Sequence, residues 1–177
     1  MPVNVLVTGG SASGKSACAE RIACSLSPIR TYLATMSPQG EEAATRIRRH
    51  RSQRAYGGFA TIECAGTLPE SRLDGVVLLD DLGNLVAQAL FAPDGTMADS
   101  AEVLERLDRE LAGLFAHADH VVVVGNEVGT EGRSPYEGTR TWVELMGALA
   151  CRTAARADAV IEVVCGVALP VKGVCAC

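Results

Sequence analysis

The chain has 177 residues, of which 48% are hydrophobic, 21% charged and only 4% aromatic, a composition that predicts one compact domain over residues 1–177 and excludes extensive disorder. A net charge of −5 argues against the broad basic surface of a general nucleic-acid-binding protein. No apolar run approaches the ~20 residues of a membrane helix and no signal-peptide pattern is visible, so we expect a cytoplasmic protein without a membrane span.

Short β-branched runs alternate with longer helical patterns along the chain. The predicted strands are Val3–Thr8, Thr31–Thr35, Thr61–Glu63, Val76–Asp80, His120–Gly125, Ala159–Val164 and Val167–Val171. The predicted helices are Ser16–Ser25, Glu41–Arg54, Leu82–Phe91, Asp99–His117 and Thr139–Arg156, with a loop over Asn126–Gly138. This alternation predicts an α/β fold with a mostly parallel central sheet, helices on both faces, and ligands at the carboxyl ends of the strands.

The segment between the first strand and the first helix has the P-loop pattern. Its residues are Gly9, Gly10, Ser11, Ala12, Ser13, Gly14, Lys15 and Ser16. The glycines let the backbone wrap closely, so that N–H groups point at phosphates, and the following helix adds its positive end. Lys15 would reach the β- and γ-phosphates, and the Ser16 hydroxyl would ligate Mg²⁺. The strand and helix on either side favour a P-loop NTPase that binds a nucleoside triphosphate.

Two adjacent acids, Asp80 and Asp81, follow a strongly apolar strand. Strand alternation places their side chains on opposite sides, so that only one of them faces the metal. We favour Asp80 as the metal ligand that accompanies Ser16. The alternative is that these carboxylates only cap the helix that begins near Leu82.

His50 lies among five arginines, at positions 46, 48, 49, 51 and 54. On a helix, Arg46, His50 and Arg54 share one face, because they are four residues apart. The surrounding positive charges favour the neutral imidazole, the form that can attack phosphorus. The alternative is a solvated basic helix face, whereas His117 and His120 are expected to be structural.

Further residues follow one recognisable order along the chain. They are Tyr32-Leu33-Ala34-Thr35, Glu42, Arg46-Ile47, His50, Arg54, Thr61-Ile62-Glu63, Leu78-Leu79-Asp80, Asn126-Glu127-Val128-Gly129, Arg140, Ala157-Asp158 and Gly166. Together with the P-loop, this set resembles the bifunctional adenosylcobinamide kinase/adenosylcobinamide-phosphate guanylyltransferases of cobalamin biosynthesis. The resemblance implies a RecA-like P-loop fold and a homotrimer.

The resemblance also implies two reactions and the residues for them. A nucleoside triphosphate, ATP or GTP, phosphorylates adenosylcobinamide; GMP then passes from GTP through a histidine to adenosylcobinamide phosphate, giving adenosylcobinamide-GDP. His50 takes the guanylylated position and, with Lys15, forms the catalytic pair, with Mg²⁺ as cofactor. Beside the P-loop, the implied nucleotide contacts are Ala34, Thr35, Met36, Arg51, Ser52, Gln53, Arg54, Glu63 and Asp80. Two alternatives stay open: a P-loop nucleotide-binding regulator, and a small-metabolite kinase without guanylyl transfer.

Overall fold

A computed structural model describes residues 2–36, 57–128 and 134–173 of the chain. Within these ranges seven strands form one sheet, in the order β3-β2-β4-β5-β1-β6-β7. The strands are β1 (Val3–Thr8), β2 (Arg30–Ala34), β3 (Ala60–Glu63), β4 (Leu73–Asp80), β5 (Ala118–Val124), β6 (Ala159–Val164) and β7 (Val167–Lys172). The helices are α1 (Lys15–Leu26), α2 (Leu82–Leu90), α3 (Ser100–His117) and α4 (Glu137–Arg156).

The pairing of the strands confirms the predicted mostly parallel sheet. Strands β1 to β6 run parallel to their neighbours, and only β7 runs antiparallel, beside β6. Strand β5 lies near the middle of the sheet, and its four consecutive valines, Val121–Val124, have no exposed surface. A run of this kind is typical of a parallel strand that is covered on both faces.

Side chains that alternate along the strands build a separate apolar cluster on each face of the sheet. One cluster joins the inner face of α1, including Cys18, Ala19 and Ile22, to β1, β4, β5 and β6. The other joins α2, α3 and α4 to the opposite face of the same strands. Helices therefore lie on both faces, as the sequence predicts.

The local sequence explains why α3 begins and packs as it does. The Asp99 carboxylate accepts a hydrogen bond from the Glu102 N–H at 2.9 Å and so caps the first turn. Leucines recur every three to four residues and are buried at positions 107, 111 and 114. Of the helices in the described ranges, none is long and apolar enough to cross a membrane.

Most element boundaries differ from the prediction by one to three residues, and one predicted helix lies outside the described residues. Strand β4 begins at Leu73 rather than Val76, with a shift of register at Gly75, where φ is +75°. Helix α4 begins at Glu137, inside the predicted loop and two residues before Thr139. The predicted helix Glu41–Arg54 falls within residues 37–56, which the structure does not describe.

Candidate nucleotide site

A cleft of about 620 Å³ lies at the carboxyl ends of β1, β2, β3, β4 and β5, the edge at which ligands of parallel sheets bind. Its floor is the segment Ser11–Ala17, which contains most of the P-loop. Strands β2 and β3 contribute Tyr32, Ala34, Thr61 and Glu63, and the segment after β2 contributes Met36. The acids of the cleft are Asp80 and Asp81. The far wall holds Gly83, Asn84, Ala87, Asn126, Glu127, Val128 and Trp142. The fold therefore brings together residues from most of the described chain.

The backbone of the P-loop is shaped by two glycines. Gly9 has φ +153°, and a Cβ atom there would lie 2.5 Å from the Val163 carbonyl oxygen, so no other residue fits. Gly14 has φ +95° and stands at the N-cap of α1. Gly9 is buried beneath the cleft rather than lining it, which gives it a structural part in the loop.

Neighbouring segments hold the loop from both sides. The Gly166 N–H, in the turn between β6 and β7, donates to the Ser13 carbonyl at 2.8 Å. The Glu127 N–H, which follows β5, donates to the Gly9 carbonyl at 3.1 Å. A loop that is held in shape before a ligand arrives binds phosphate with less loss of conformational entropy.

Lys15 and Ser16 stand at the start of α1, where the helix presents its positive end. The Lys15 Nζ atom donates to the Gly10 carbonyl at 3.0 Å, so the ammonium group lies over the loop. The Ser16 hydroxyl points across to β4, where it donates to Asp80 Oδ1 at 3.4 Å. A cationic group and two hard oxygen donors thus stand at one end of the cleft.

The pair formed by Ser16 and Asp80 fits a magnesium ion. Oxygen ligands of an octahedral Mg²⁺ lie at about 2.1 Å, which separates adjacent ligands by about 3 Å. The 3.4 Å between Ser16 Oγ and Asp80 Oδ1 is close to that spacing. Both atoms are hard oxygens, the donors that Mg²⁺ prefers.

The two adjacent acids have different tasks. Asp81 caps α2: its carboxylate accepts from the Asn84 N–H at 2.7 Å and from the Asn84 side-chain amide at 3.1 Å. Asp80 instead accepts from Ser16 and, through Oδ2, from the Tyr32 hydroxyl at 2.9 Å. The capping alternative therefore applies to Asp81, whereas Asp80 stays the predicted metal ligand.

Thr35 holds the turn that carries these acids. Its hydroxyl lies 2.8 Å from the Asp81 N–H, which donates to it, and 2.9 Å from the Asp81 carbonyl, which accepts from it. The residue is only 1% exposed, whereas its neighbours Ala34 and Met36 line the cleft. The Asp80–Asp81 peptide bond in this turn is cis.

The far wall of the cleft contains contacts that the sequence did not indicate. The Trp142 indole N–H donates to the Gly83 carbonyl at 3.0 Å, which ties α4 to the first turn of α2. A Cβ atom at Gly83 would lie 2.6 Å from Asn126 Nδ2 and 3.3 Å from Trp142 Cζ2, so the three segments pack closely. Trp142 is the single tryptophan of the chain, and this was the one feature of the sequence that could have pointed to a place in the cleft.

The described histidines lie away from the cleft. His117 ends α3 and is exposed, just before β5 begins. His120 lies near the start of β5, where its Nδ1 atom accepts a hydrogen bond from the Val3 N–H at 3.1 Å. The starts of parallel strands form the edge opposite to the cleft, so neither of these two histidines lines it. His50 and the predicted nucleotide contacts Arg51, Ser52, Gln53 and Arg54 lie outside the described residues.

Comparison with known proteins gives consistent matches over almost the whole chain. Residues 5–171 match the family described as cobinamide kinase/cobinamide phosphate guanyltransferase. The bifunctional adenosylcobalamin biosynthesis protein CobU of Salmonella typhimurium is 33% identical, with 95% of this chain and 99% of that protein aligned. The CobP protein of Pseudomonas aeruginosa, which has the same description, is 31% identical, with 95% and 96% aligned.

A solved structure supports the fold alone. A prototypical ATPase from the type III secretion system of pathogenic bacteria superimposes with a TM-score of 0.51 over 90% of this chain and 50% of that one, at 11% identity. Together with the sheet described above, this similarity confirms the RecA-like P-loop fold expected from the sequence.

Proposed function

The chain belongs to the cobinamide kinase/cobinamide phosphate guanyltransferase family, and we propose that it carries out both reactions of that family in the cleft described above. The first is phosphorylation of adenosylcobinamide, and the second is transfer of GMP from GTP to the resulting phosphate. The observation that carries the proposal is the family match over residues 5–171, since that range contains the P-loop, Asp80 and His50. The trimer and the cytoplasmic location stay predictions.

In the kinase step, the hydroxyl of the cobinamide arm attacks the γ-phosphorus of the triphosphate. The new O–P bond forms as the bond to the β-phosphate oxygen breaks, the hydroxyl proton passes to solvent, and the nucleoside diphosphate leaves. The P-loop N–H groups and Lys15 bind the phosphates and stabilise negative charge as it moves to the leaving oxygen. Ser16 and Asp80 would hold Mg²⁺, which neutralises phosphate charge when it is bound.

The acceptor binds along the far wall of the cleft in this proposal. The P-loop side is taken by the phosphates, which leaves the surface formed by Asn84, Ala87 and Trp142. A large apolar ring beside polar amides is a common composition for a small-molecule site.

In the guanylyl step, the His50 imidazole attacks the α-phosphorus of GTP, and pyrophosphate leaves. The GMP that is now bonded to nitrogen passes to a phosphate oxygen of adenosylcobinamide phosphate, which frees the histidine and yields adenosylcobinamide-GDP. A covalent intermediate divides one difficult transfer into two easier steps. The assignment of His50 is supported by its place in the family pattern and by the position of His117 and His120 at the opposite edge of the sheet.

The experiment is product analysis with a matched pair of histidine variants. Purified protein is given adenosylcobinamide, ATP, GTP and Mg²⁺, and the products are identified by mass spectrometry. Wild type is expected to form adenosylcobinamide-GDP and, with labelled GTP alone, an acid-labile and base-stable protein adduct. His50→Ala is expected to lose the adduct and to accumulate adenosylcobinamide phosphate.

His117→Ala is the control, because this histidine is exposed and lies at the other edge of the sheet. It should keep both products and the adduct. An adduct that survives His50→Ala would refute the role of that residue. If the wild type forms adenosylcobinamide phosphate but no adenosylcobinamide-GDP, the protein is a kinase only and the proposed second activity is wrong.

A further inference from the structure

We propose that Tyr32 is a positioning residue that orients the carboxylate of Asp80 toward Ser16 and so sets the affinity of the site for Mg²⁺. The inference rests on the proposed function, in which Ser16 and Asp80 hold that ion. Tyr32 does not contact the ion in this proposal; it acts only through Asp80. Its hydroxyl donates to Asp80 Oδ2 at 2.9 Å.

The register of the sheet brings the two side chains together. In the parallel pair of β2 and β4, Ala34 lies opposite Asp80 and Tyr32 lies opposite Leu78. Tyr32 is therefore the diagonal neighbour of Asp80 on the same face, at a separation that a long aromatic side chain spans. That face is the one that α1 covers, and α1 carries Ser16.

Packing fixes the position of the hydroxyl. Tyr32 is only 3% exposed and belongs to the apolar cluster beneath α1, with Cys18 and Leu78. The Phe59 ring stands edge-on to it, with centroids 6.4 Å apart and planes at 82°. A ring held in this way has a single place for its oxygen, so the hydrogen bond to Asp80 has a defined direction.

The two oxygens of the carboxylate thereby have separate tasks. The bond from Tyr32 to Oδ2 restricts rotation about the last side-chain torsion of Asp80. With that torsion restricted, Oδ1 faces Ser16 at 3.4 Å, the separation that fits adjacent ligands of Mg²⁺. Partners of this kind, which bind the ligand rather than the metal, typically change metal affinity 10- to 100-fold when removed.

The direct test is Tyr32→Phe, which removes only the hydroxyl. Binding of a fluorescent GTP analogue is measured in EDTA and over a Mg²⁺ titration, and Mn²⁺ binding is followed by electron paramagnetic resonance. We expect the Mg²⁺ midpoint and the Mn²⁺ dissociation constant to rise by roughly 10-fold. Nucleotide affinity in EDTA should stay unchanged, because the P-loop contacts remain.

Phe59→Leu is the matched control, since it removes the ring packed against Tyr32 but leaves the hydroxyl bond. It should lower thermal stability and move the Mg²⁺ midpoint much less than Tyr32→Phe does, because the hydroxyl can still donate to Asp80. An equal shift of the midpoint in both variants would assign the effect to packing and overturn the inference. Equal losses of nucleotide affinity with and without Mg²⁺ in Tyr32→Phe would overturn it as well.

Asp80→Asn separates failure of this inference from failure of the proposed function. If Asp80→Asn abolishes support of nucleotide binding by Mg²⁺ while Tyr32→Phe has no effect, only the positioning role of Tyr32 is wrong. If neither Asp80→Asn nor Ser16→Ala changes Mg²⁺ dependence, the proposed metal site is wrong and the role of Tyr32 falls with it.

Discussion

Cys64 is a buried thiol beside two acids, next to the β3 end of the cleft. It is 5% exposed, and burial, followed by the charges of Glu110 and Glu63, raises its pKa from 9.0 to about 11. In the unfolded chain the thiol ionises near pH 9, whereas in the folded chain it keeps its proton up to about pH 11. Its contribution to stability is therefore complete below pH 9 and is lost as the pH rises toward 11.

The difference between the pKa of Cys64 in the folded chain and in the unfolded chain predicts how the free energy of unfolding depends on pH. The free energy of unfolding of the wild type should fall more steeply between pH 9 and about 11 than that of Cys64→Ala. Urea denaturation at pH 8, 9.5 and 11 measures the two slopes. Cys151→Ala, a change at an exposed cysteine, serves as the control and should keep the slope of the wild type. Identical slopes in wild type and Cys64→Ala would contradict the prediction.

Single residues of the site divide into those that a local pattern predicts and those that it does not. The order of residues Gly9 to Ser16 predicts a phosphate loop, because its chemistry depends on neighbours in sequence. Asp80 follows from its place at the end of an apolar strand. The bond from Tyr32 to Asp80 joins residues 48 positions apart and depends on the register of β2 against β4, which no local pattern gives.

Among the helices, α3 and α4 are joined by a group of charges around Asp108. Its carboxylate accepts from Arg152 at 3.1 Å and from Arg156, whose Nη2 atom lies at 3.0 Å. The hydrogen bond from Arg156 is the main cause of the lowered pKa of Asp108, with Arg152 adding to it. The Asp108 side chain is 14% exposed, so solvent screens these bonds less than it would on an open surface.

Removing this charge should loosen the contact between the two helices. Asp108→Asn is expected to lower the free energy of unfolding by about 1–3 kcal/mol, since two charged donors lose their partner. Glu105→Gln, at a side chain that is 62% exposed and also bound to Arg152, should cost about 0.5 kcal/mol or less. Urea midpoints at pH 7 measure both variants.

The charges around Asp108 also predict how the free energy of unfolding changes in acid. Because the pKa of Asp108 is lowered in the folded chain, its stabilising effect is present above the ordinary value of 3.8 and is lost as the pH falls below it. The gap in stability between wild type and Asp108→Asn should therefore narrow in acid. If the difference in free energy of unfolding between wild type and Asp108→Asn stays constant down to pH 2, the stabilising role assigned to the Asp108 carboxylate is wrong.

The start of α4 shows why the boundaries of elements were less predictable than the elements themselves. Pro135 and Gly138 favour a loop in the sequence, yet the helix begins at Glu137. A Cβ atom at position 138 would lie 3.1 Å from the Phe91 ring, so glycine allows the start of α4 to pack closely against the residue that follows α2. The Arg140 side chain then bonds the Ser134 and Pro135 carbonyls and fixes the preceding turn.

At the scale of the whole molecule, the alternation of strands and helices predicts a parallel sheet but not the order of its strands. The P-loop strand β1 lies between β5 and β6, which places Asn126 and the turn at Gly166 on either side of the loop. That order depends on which faces pack best in three dimensions. The far wall with Trp142 was missed for the same reason, since α4 reaches the cleft only through the tertiary fold.

The cleft draws residues from strands β2 to β4 and from three helices, so a bound triphosphate should stabilise the molecule as a whole. At 100 times its dissociation constant, a ligand that binds only the folded state adds about 2.7 kcal/mol. For a chain of 177 residues this corresponds to a rise in melting temperature of about 5–10 °C.

Lys15→Ala should remove nearly all of that rise at the same nucleotide concentration, because the ammonium group over the loop is lost. Arg21→Ala, at an exposed position of the same helix, should retain it, and differential scanning fluorimetry with and without GTP and Mg²⁺ compares the two. A full rise in Lys15→Ala would mean that the triphosphate binds elsewhere than on the P-loop.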